Sequence, residues 1–212
     1  MFKKLFAIGD IHGCYDKLMT LMGKIPFRPD RDTIVFLGDY IDRGPDSFKV
    51  ISYLLTLKDQ SKNAIFLKGN HEFMFDGFIN GTDRDTFLAN GGEQTLRSYL
   101  KRKDFPQSFP IPAKHLDFFR SLLPYYQTEH FIFVHAGLKE GIELEKQDTR
   151  DLFWIRDRFI QSDFDFGKTV IFGHTPFPEP LISHNKIGID TGAVYGNKLT
   201  GVELNQMMFY FS

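Results

Sequence analysis

The chain has 212 residues, 42% hydrophobic and 25% charged, an ordinary globular composition with room for one large core. A formal net charge of -1 offers no basic field for bulk attraction to nucleic acid, and a single Cys excludes an internal disulfide framework and suits a reducing compartment. No apolar stretch approaches the roughly 18 residues that span a bilayer, and Met1–Ile8 runs directly into the first motif, so neither anchor nor signal peptide is expected and the cytoplasm is the default location.

Taken in chain order, Leu5–Ile8 reads as a short strand, followed by Gly9-Asp10-Ile11-His12-Gly13 and a helical stretch with Leu18, Leu21 and Met22 on one face. Thr33–Leu37 is a second buried-strand pattern; Gly38-Asp39-Tyr40-Ile41-Asp42-Arg43-Gly44 follows it, then a helix start at Pro45-Asp46-Ser47. Ala64–Leu67 is the third strand, ending at Gly69-Asn70-His71-Glu72. Strands alternating with helices predict a parallel α/β sheet, with a site beyond the carboxyl ends of its strands. From about 73 to 124 the periodicity turns helical (Glu93–Leu100 and Ala113–Leu123), interrupted by Gly91-Gly92, Pro106, Pro110 and Pro112. This segment is expected to be a helical cap within a single domain of residues 1–212. Strand patterns return from Tyr125: Phe131–Val134 before His135-Ala136-Gly137, and Thr169–Phe172 before Gly173-His174-Thr175. The last four, Pro180–Ser183, Ile187–Asp190, Leu199–Leu204 and Met207–Phe211, are spaced like an antiparallel meander.

Five islands of ionisable residues thus end five apolar runs. Asp10 and His12 are two apart, so an extended loop can turn both toward one ion. Asp39 supplies a carboxylate able to bridge two cations; Asn70 offers a neutral oxygen, and His135 and His174 offer imidazole nitrogens. That donor mixture suits Mn first, then Fe or Zn, better than Ca or Mg. Two such metals can clamp the attacking and leaving oxygens of an in-line phosphoryl displacement and generate hydroxide near neutral pH. Arg43 can fork onto phosphate oxygens, and His71, oriented by Asp42, can protonate a departing alkoxide. Single Asp and His residues are more often caps or core groups, and His115, His130 and His184, outside the islands, are read that way. Cys14 is read as a small buried residue. His71-Glu72 lacks a His four positions on, where Phe75 stands, so no zinc-protease motif is present, and there is no Walker loop.

The first three islands match G-D-x-H-G, G-D-x-x-D-R-G and G-N-H-E without substitution. In this the chain resembles the phosphoprotein phosphatase family within the calcineurin-like metallophosphoesterases, and most of all the short bacterial and bacteriophage serine/threonine phosphatases. The resemblance covers Leu5 to about Leu204. It implies an α/β fold with a central β-sandwich flanked by helices. It implies one metal on Asp10, His12 and Asp39, a second on Asp39, Asn70, His135 and His174, Arg43 on phosphate, and an Asp42–His71 acid dyad. Trp154-Ile155-Arg156 resembles the segment that supplies a second phosphate-binding Arg, so Arg156 takes that role, and Asn70 lies close enough to share it. Ile189–Gly196 resembles the family's closing segment, where Tyr195 either lines the pocket or packs. The extended C-terminal half of the eukaryotic enzymes is lacking, so their regulatory subunits are not expected as partners.

Two substrates share these motifs. One is a phosphoserine, phosphothreonine or phosphotyrosine protein; the other is a dinucleoside polyphosphate, cleaved by bis(5'-nucleosyl)-tetraphosphatases. The symmetrical tetraphosphatases resemble the opening Gly9–Asp16, but many lack the Asp42 equivalent. Asp42 therefore tilts the expectation toward phosphomonoesters, whose poor alkoxide leaving group needs a proton. Rings around Phe105–Phe119 are expected to stack on adenine or to fill the cap core, the latter weighing more. A non-catalytic phosphate-binding module, a remote third alternative, would have lost a ligand or the acid; neither is lost.

Overall fold

The structure, a computed structural model, describes residues 3–101 and 111–212. Strands β1 (Leu5–Ile8), β2 (Thr33–Phe36) and β3 (Ala64–Phe66) pair in parallel, linked by helices α1 (Tyr15–Lys24) and α2 (Ser47–Gln60). β9 (Thr200–Glu203) and β10 (Met208–Phe211) complete a five-stranded sheet in the order β10-β9-β1-β2-β3. A second sheet runs β4-β5-β6-β8-β7, from β4 (Tyr125–Gln127), β5 (Phe131–Val134), β6 (Thr169–Phe172), β7 (Leu181–Ile182) and β8 (Lys186–Gly188).

The central strands β1, β2, β5 and β6 are largely apolar because both of their faces are covered. Alternate residues point to opposite sides. Ala7 and Val35 meet Phe133, Ile171, Ile187 and Val202 between the sheets, while Phe6, Ile8, Ile34 and Phe36 turn outward onto α1 and α2. Ile132, Val134, Val170 and Phe172 turn outward onto two short helices, α7 (Thr149–Trp154) and α8 (Asp157–Ile160). The result is the helix-flanked sandwich of an α/β fold. Among the described residues, no helix is long and apolar enough to cross a membrane.

The 73–124 stretch carries α3 (Asn70–Ile79), α4 (Arg84–Phe87), α5 (Glu93–Leu100) and α6 (Ala113–Arg120). α3 begins inside the third island, and α6 stops three residues before the expected Leu123, where β3 and the segment after α6 meet in a Leu67–Leu123 bridge. Phe75, Phe87, Phe118 and Phe119 are buried in one cluster with Phe36 and Phe66, so these cap rings are core. Phe118 meets Phe66 edge-on with centroids 5.2 Å apart, and Phe75 meets Phe119 at 4.7 Å. Phe105, Pro106, Phe109 and Pro110 lie outside the described residues.

The C-terminal strands correct one expectation. They do not form a meander but two hairpins in different sheets: β7 pairs antiparallel with β8, and β9 with β10, while β8 runs parallel to β6. Ile187 and Ile189 enter the inter-sheet core from one side, and Val202 and Leu204 from the other. The chain between β8 and β9 therefore crosses from sheet to sheet, turning at Gly192 with φ of 71°.

Candidate active site

Each island follows a strand: Asp10 and His12 follow β1, Asp39 to Arg43 follow β2, Asn70 and His71 follow β3, His135 follows β5 and His174 follows β6. Parallel pairing puts the carboxyl ends of each set at one sheet edge, and bonds between the sheets join the two edges. His135 Nδ1 donates to the Leu37 carbonyl at 2.9 Å, and the His174 amide donates to Asp10 Oδ2 at 3.0 Å. Within the first sheet the amides of Ile11 and His12 both donate to the Asp39 carbonyl.

These turns are tight. Among the described residues, six non-glycine residues have positive φ, and five are in the site: His12 (46°), Asp39 (52°), Asp42 (71°), Arg43 (66°) and His174 (64°). Each such conformation costs about 1–3 kcal/mol and persists only where surrounding contacts over-determine it. Glycine before the ligand is required by close approach. A Cβ on Gly69 would lie 2.1 Å from Asp39 Oδ1, and one on Gly173 2.1 Å from Asp10 Oδ1.

The six residues expected as metal ligands come together, all buried. Asp39 Oδ2 is 3.4 Å from both His12 Nε2 and His135 Nε2, and Asn70 Oδ1 is 3.0 Å from His135 Nε2 and 2.9 Å from His174 Nδ1. His12 Nδ1 faces the Ile41 carbonyl at 2.9 Å. With Nδ1 on a main-chain carbonyl, Nε2 of His12 and of His135 is the ring nitrogen turned into the cluster. His12, Asp39 and His71 form one trio with ligand atoms within 4.8 Å of one another, and Asp39, His135 and His174 form another.

Asp42 Oδ2 and His71 Nδ1 lie 2.7 Å apart, both fully buried. Burial pushes the Asp42 carboxyl well up, and burial together with Arg43 pulls His71 down to about 4 against the pull of Asp39. The 2.7 Å contact fixes the His71 ring, with Nδ1 on the Asp42 carboxyl. His71 Nε2 is buried without a partner. Arg43 Nη1 donates to His12 Nε2 at 2.8 Å, and its guanidinium carbon lies 5.7 Å from the centre of the Tyr195 ring. Arg156 Nη1 donates to the His174 carbonyl at 3.2 Å and to Thr175 Oγ1 at 3.3 Å. Both arginines therefore stand at the cluster.

Three participants escaped the sequence reading. Glu72 accepts from the amides of Asp39, Tyr40 and Gly69 at 2.8, 2.8 and 3.0 Å, clamping two islands. Its signal was its place three residues after the helix-capping Gly69. Thr95, on α5, donates to Asp42 Oδ1 at 2.7 Å and accepts from the Asp42 amide at 2.8 Å, so the cap braces the dyad. Gly91-Gly92 was its signal, because the Gly91 carbonyl accepts from the Arg43 amide and a Cβ there would meet Arg43 at 2.8 Å. Asp190, buried at the end of an apolar run like the islands, raises Asp10 electrostatically.

The family profile for calcineurin-like phosphoesterases matches residues 3–199. The chain belongs to that family. It is 31% identical to the asymmetrical bis(5'-nucleosyl)-tetraphosphatase PrpE of Oceanobacillus iheyensis, over 97% of this chain and 90% of that one. Among solved structures it resembles a protein provisionally named a diadenosine tetraphosphatase (TM-score 0.78, 22% identity, 99% of this chain and 93% of that one). It also resembles the cold-active protein-tyrosine phosphatase of a psychrophilic Shewanella (TM-score 0.69, 19% identity, 97% and 76%). These two likenesses concern the fold.

Calcineurin-like phosphoesterases use divalent metals, and this phosphoesterase's donor set fits them. Asp10 Oδ1 and His174 Nε2 are buried without partners. Three of the buried acids are also shifted toward the protonated form, burial being the first cause in each. Burial and then Asp190 raise Asp10 well above its ordinary value; burial and Asp39 push Glu72 up to about 8; burial raises Asp190 to about 6. His135 is pushed up to about 9, burial opposing and Asp39 with Asp10 overcoming it. Cations among these groups would supply positive charge.

A pH dependence follows for the chelated protein. Glu72 and His135 hold protons more tightly folded than unfolded, so their contribution is lost as pH rises through about 8 and about 9. His12 and His71, held down at about 3 and about 4, are neutral above pH 7 in both states and cancel. The melting temperature after chelation should fall by several degrees between pH 7 and pH 9, and added divalent metal should reverse the loss. A melting temperature flat or rising over that range would contradict the assigned shifts.

Proposed function

We propose that this phosphoesterase hydrolyses dinucleoside polyphosphates of the bis(5'-nucleosyl)-tetraphosphate type, cutting them unequally. The observation that carries this reading is the extent of the match to the PrpE tetraphosphatases. At about 30% identity it covers 96–97% of this chain and 90–92% of theirs, cap segment included. The expectation of a phosphomonoester substrate rested on Asp42 and on the likeness to short bacterial serine/threonine phosphatases, and a retained acid does not exclude a leaving group that needs it little.

In this reading Asp10, His12 and Asp39 hold one divalent metal, and Asp39, Asn70, His135 and His174 hold another, with Mn the first choice. When bound, such metals supply a nucleophile at neutral pH and neutralise charge developing on the phosphoryl oxygens. Arg43 and Arg156 fork onto the remaining phosphate oxygens. For Arg43 this requires turning from His12 Nε2, where its cationic fork covers the lone pair that a metal takes. His71 offers a hydrogen at Nε2 to the departing oxygen, and Asp42, braced by Thr95, holds the ring in that orientation. Glu72 fixes the backbone that positions Asp39 and Asn70. Buried strands around the cluster keep bulk water from screening these charges.

The buried 2.7 Å Asp42–His71 pair favours a second reading, hydrolysis of phosphoserine, phosphothreonine or phosphotyrosine proteins. The deciding experiment compares diadenosine tetraphosphate with the three phosphopeptides in Mn-supplemented buffer after chelation, with products resolved by chromatography. A nucleoside triphosphate with a monophosphate supports the proposal. Two diphosphates would overturn the unequal cut, and turnover of peptides alone would overturn the substrate. Arg43→Ala should lower kcat/KM by roughly 10- to 100-fold, as expected for loss of a charge-assisted hydrogen bond. An unchanged steady-state profile would remove Arg43 from phosphate binding.

A further inference from the structure

The segment that crosses between the sheets carries a side chain that the cluster alone does not explain. Tyr195 is 65% exposed and belongs to none of the three apolar clusters. It ends a single 3-10 turn, Ala193–Tyr195, flanked by Gly192 and Gly196, both in the left-handed region. An exposed ring on a slack loop would mean little, but this turn is anchored on several sides. The Tyr195 and Asn197 amides donate to the Gly192 carbonyl, and Asp190 Oδ1 accepts from the Gly192 amide at 2.9 Å. Lys17 Nζ donates to the Ala193 carbonyl at 2.6 Å, and Asn197 Nδ2 to the Pro178 carbonyl at 2.9 Å.

The ring is also tied to the cluster through one side chain. The Arg43 guanidinium carbon is 5.7 Å from the Tyr195 centroid, while Nη1 of the same guanidinium is 2.8 Å from His12 Nε2. A phosphate that replaces His12 Nε2 on the Arg43 fork therefore has an aromatic shelf within one side chain's reach. Of the described cap rings expected to stack on a base, Phe118 and Phe119 are spent in the core. A solvent-facing ring on an anchored turn, next to a phosphate-binding cation, is the pairing that recognises a nucleotide, the ring stacking on the base and the cation meeting the phosphate.

We propose that Tyr195, on the rim beside Arg43, is the base-stacking subsite for one nucleoside of the substrate. It rests on the nucleotide reading of the site and adds a specific contact for the base. Stacking tolerates any base, so the subsite selects for a nucleoside over an alkyl or peptidyl group more than for adenine over guanine.

Equilibrium binding tests it without turnover. Calorimetry on the metal-loaded protein would compare adenosine 5'-(α,β-methylene)diphosphate with methylenediphosphonate, which lacks the nucleoside. The wild type should bind the adenosine ligand roughly tenfold more tightly, the range of one base–aromatic stack. Tyr195→Ala should erase that difference and leave methylenediphosphonate binding unchanged; Tyr195→Phe, which keeps the ring, should retain it. Equal wild-type affinity for the two ligands, no adenosine-ligand binding at millimolar concentration, or an equal loss of both in Tyr195→Ala overturns the subsite. Loss of the preference in Tyr195→Phe overturns stacking as its cause. Failure of the wild type to cleave diadenosine tetraphosphate would instead overturn the substrate reading, a result recorded separately from this binding difference.

Discussion

Asp39→Asn is expected to reduce hydrolysis by about 10³-fold, equivalent to about 4 kcal/mol of transition-state stabilisation, and to lower the metal content per chain. Asp39 belongs to both ligand trios, with Oδ2 equidistant at 3.4 Å from His12 Nε2 and His135 Nε2. Burial disfavours its charge, yet His135 and His71 beside it hold the carboxyl well below the usual range. Asparagine keeps the shape but removes the one negative charge shared by both trios. It also turns either an oxygen or an amide hydrogen toward lone pairs that need a cation. The fold should survive, because the loop is fixed by main-chain groups: the Asp39 amide on Glu72, and its carbonyl under Ile11 and His12. Turnover at saturating Mn, metal content by elemental analysis and a melting curve would be measured together. Wild-type turnover with wild-type metal content would refute the bridging role.

Asp42→Asn is expected to act in proportion to the basicity of the leaving group. General acid catalysis contributes about 10²–10⁴-fold, so a phosphoserine peptide should lose activity in that range. Aryl phosphate and diadenosine tetraphosphate, whose leaving groups are already acidic, should lose about tenfold or less by the same argument. The structure supports this variant as a clean probe. Asp42 touches His71 through Oδ2 and Thr95 through Oδ1, and its backbone is held by Thr95 and Ser47. Equal losses on all three substrates would sink the proton-donor assignment and leave the dyad a purely positional role.

The residues in these two experiments were legible from sequence for a local reason. Asp10, Asp39, Asn70, His135 and His174 each follow an apolar strand directly, and a strand's end fixes where the next residues lie. Parallel pairing of β1, β2 and β3 then brings distant islands together without further information. Glu72, Thr95 and Asp190 were not read as participants, because their roles depend on contacts across the chain. Thr95 reaches Asp42 over 53 positions. The meander expectation failed for the same reason, since close spacing in sequence cannot tell whether neighbouring strands share a sheet.

The α/β class, the phosphoesterase motifs and the set of ionisable groups are local patterns of hydrophobicity and ligand type, legible along the chain. How charge is distributed among those groups depends on the folded packing. Burial raises the carboxyls of Asp10, Glu72, Asp190 and Asp42 and lowers the imidazole of His71. Packing also decided which rings are free, because it consumes Phe118 and Phe119 while the crossing between sheets leaves Tyr195 at the rim. Desolvation and exposure are properties of the assembled surfaces, and no stretch of chain carries them alone.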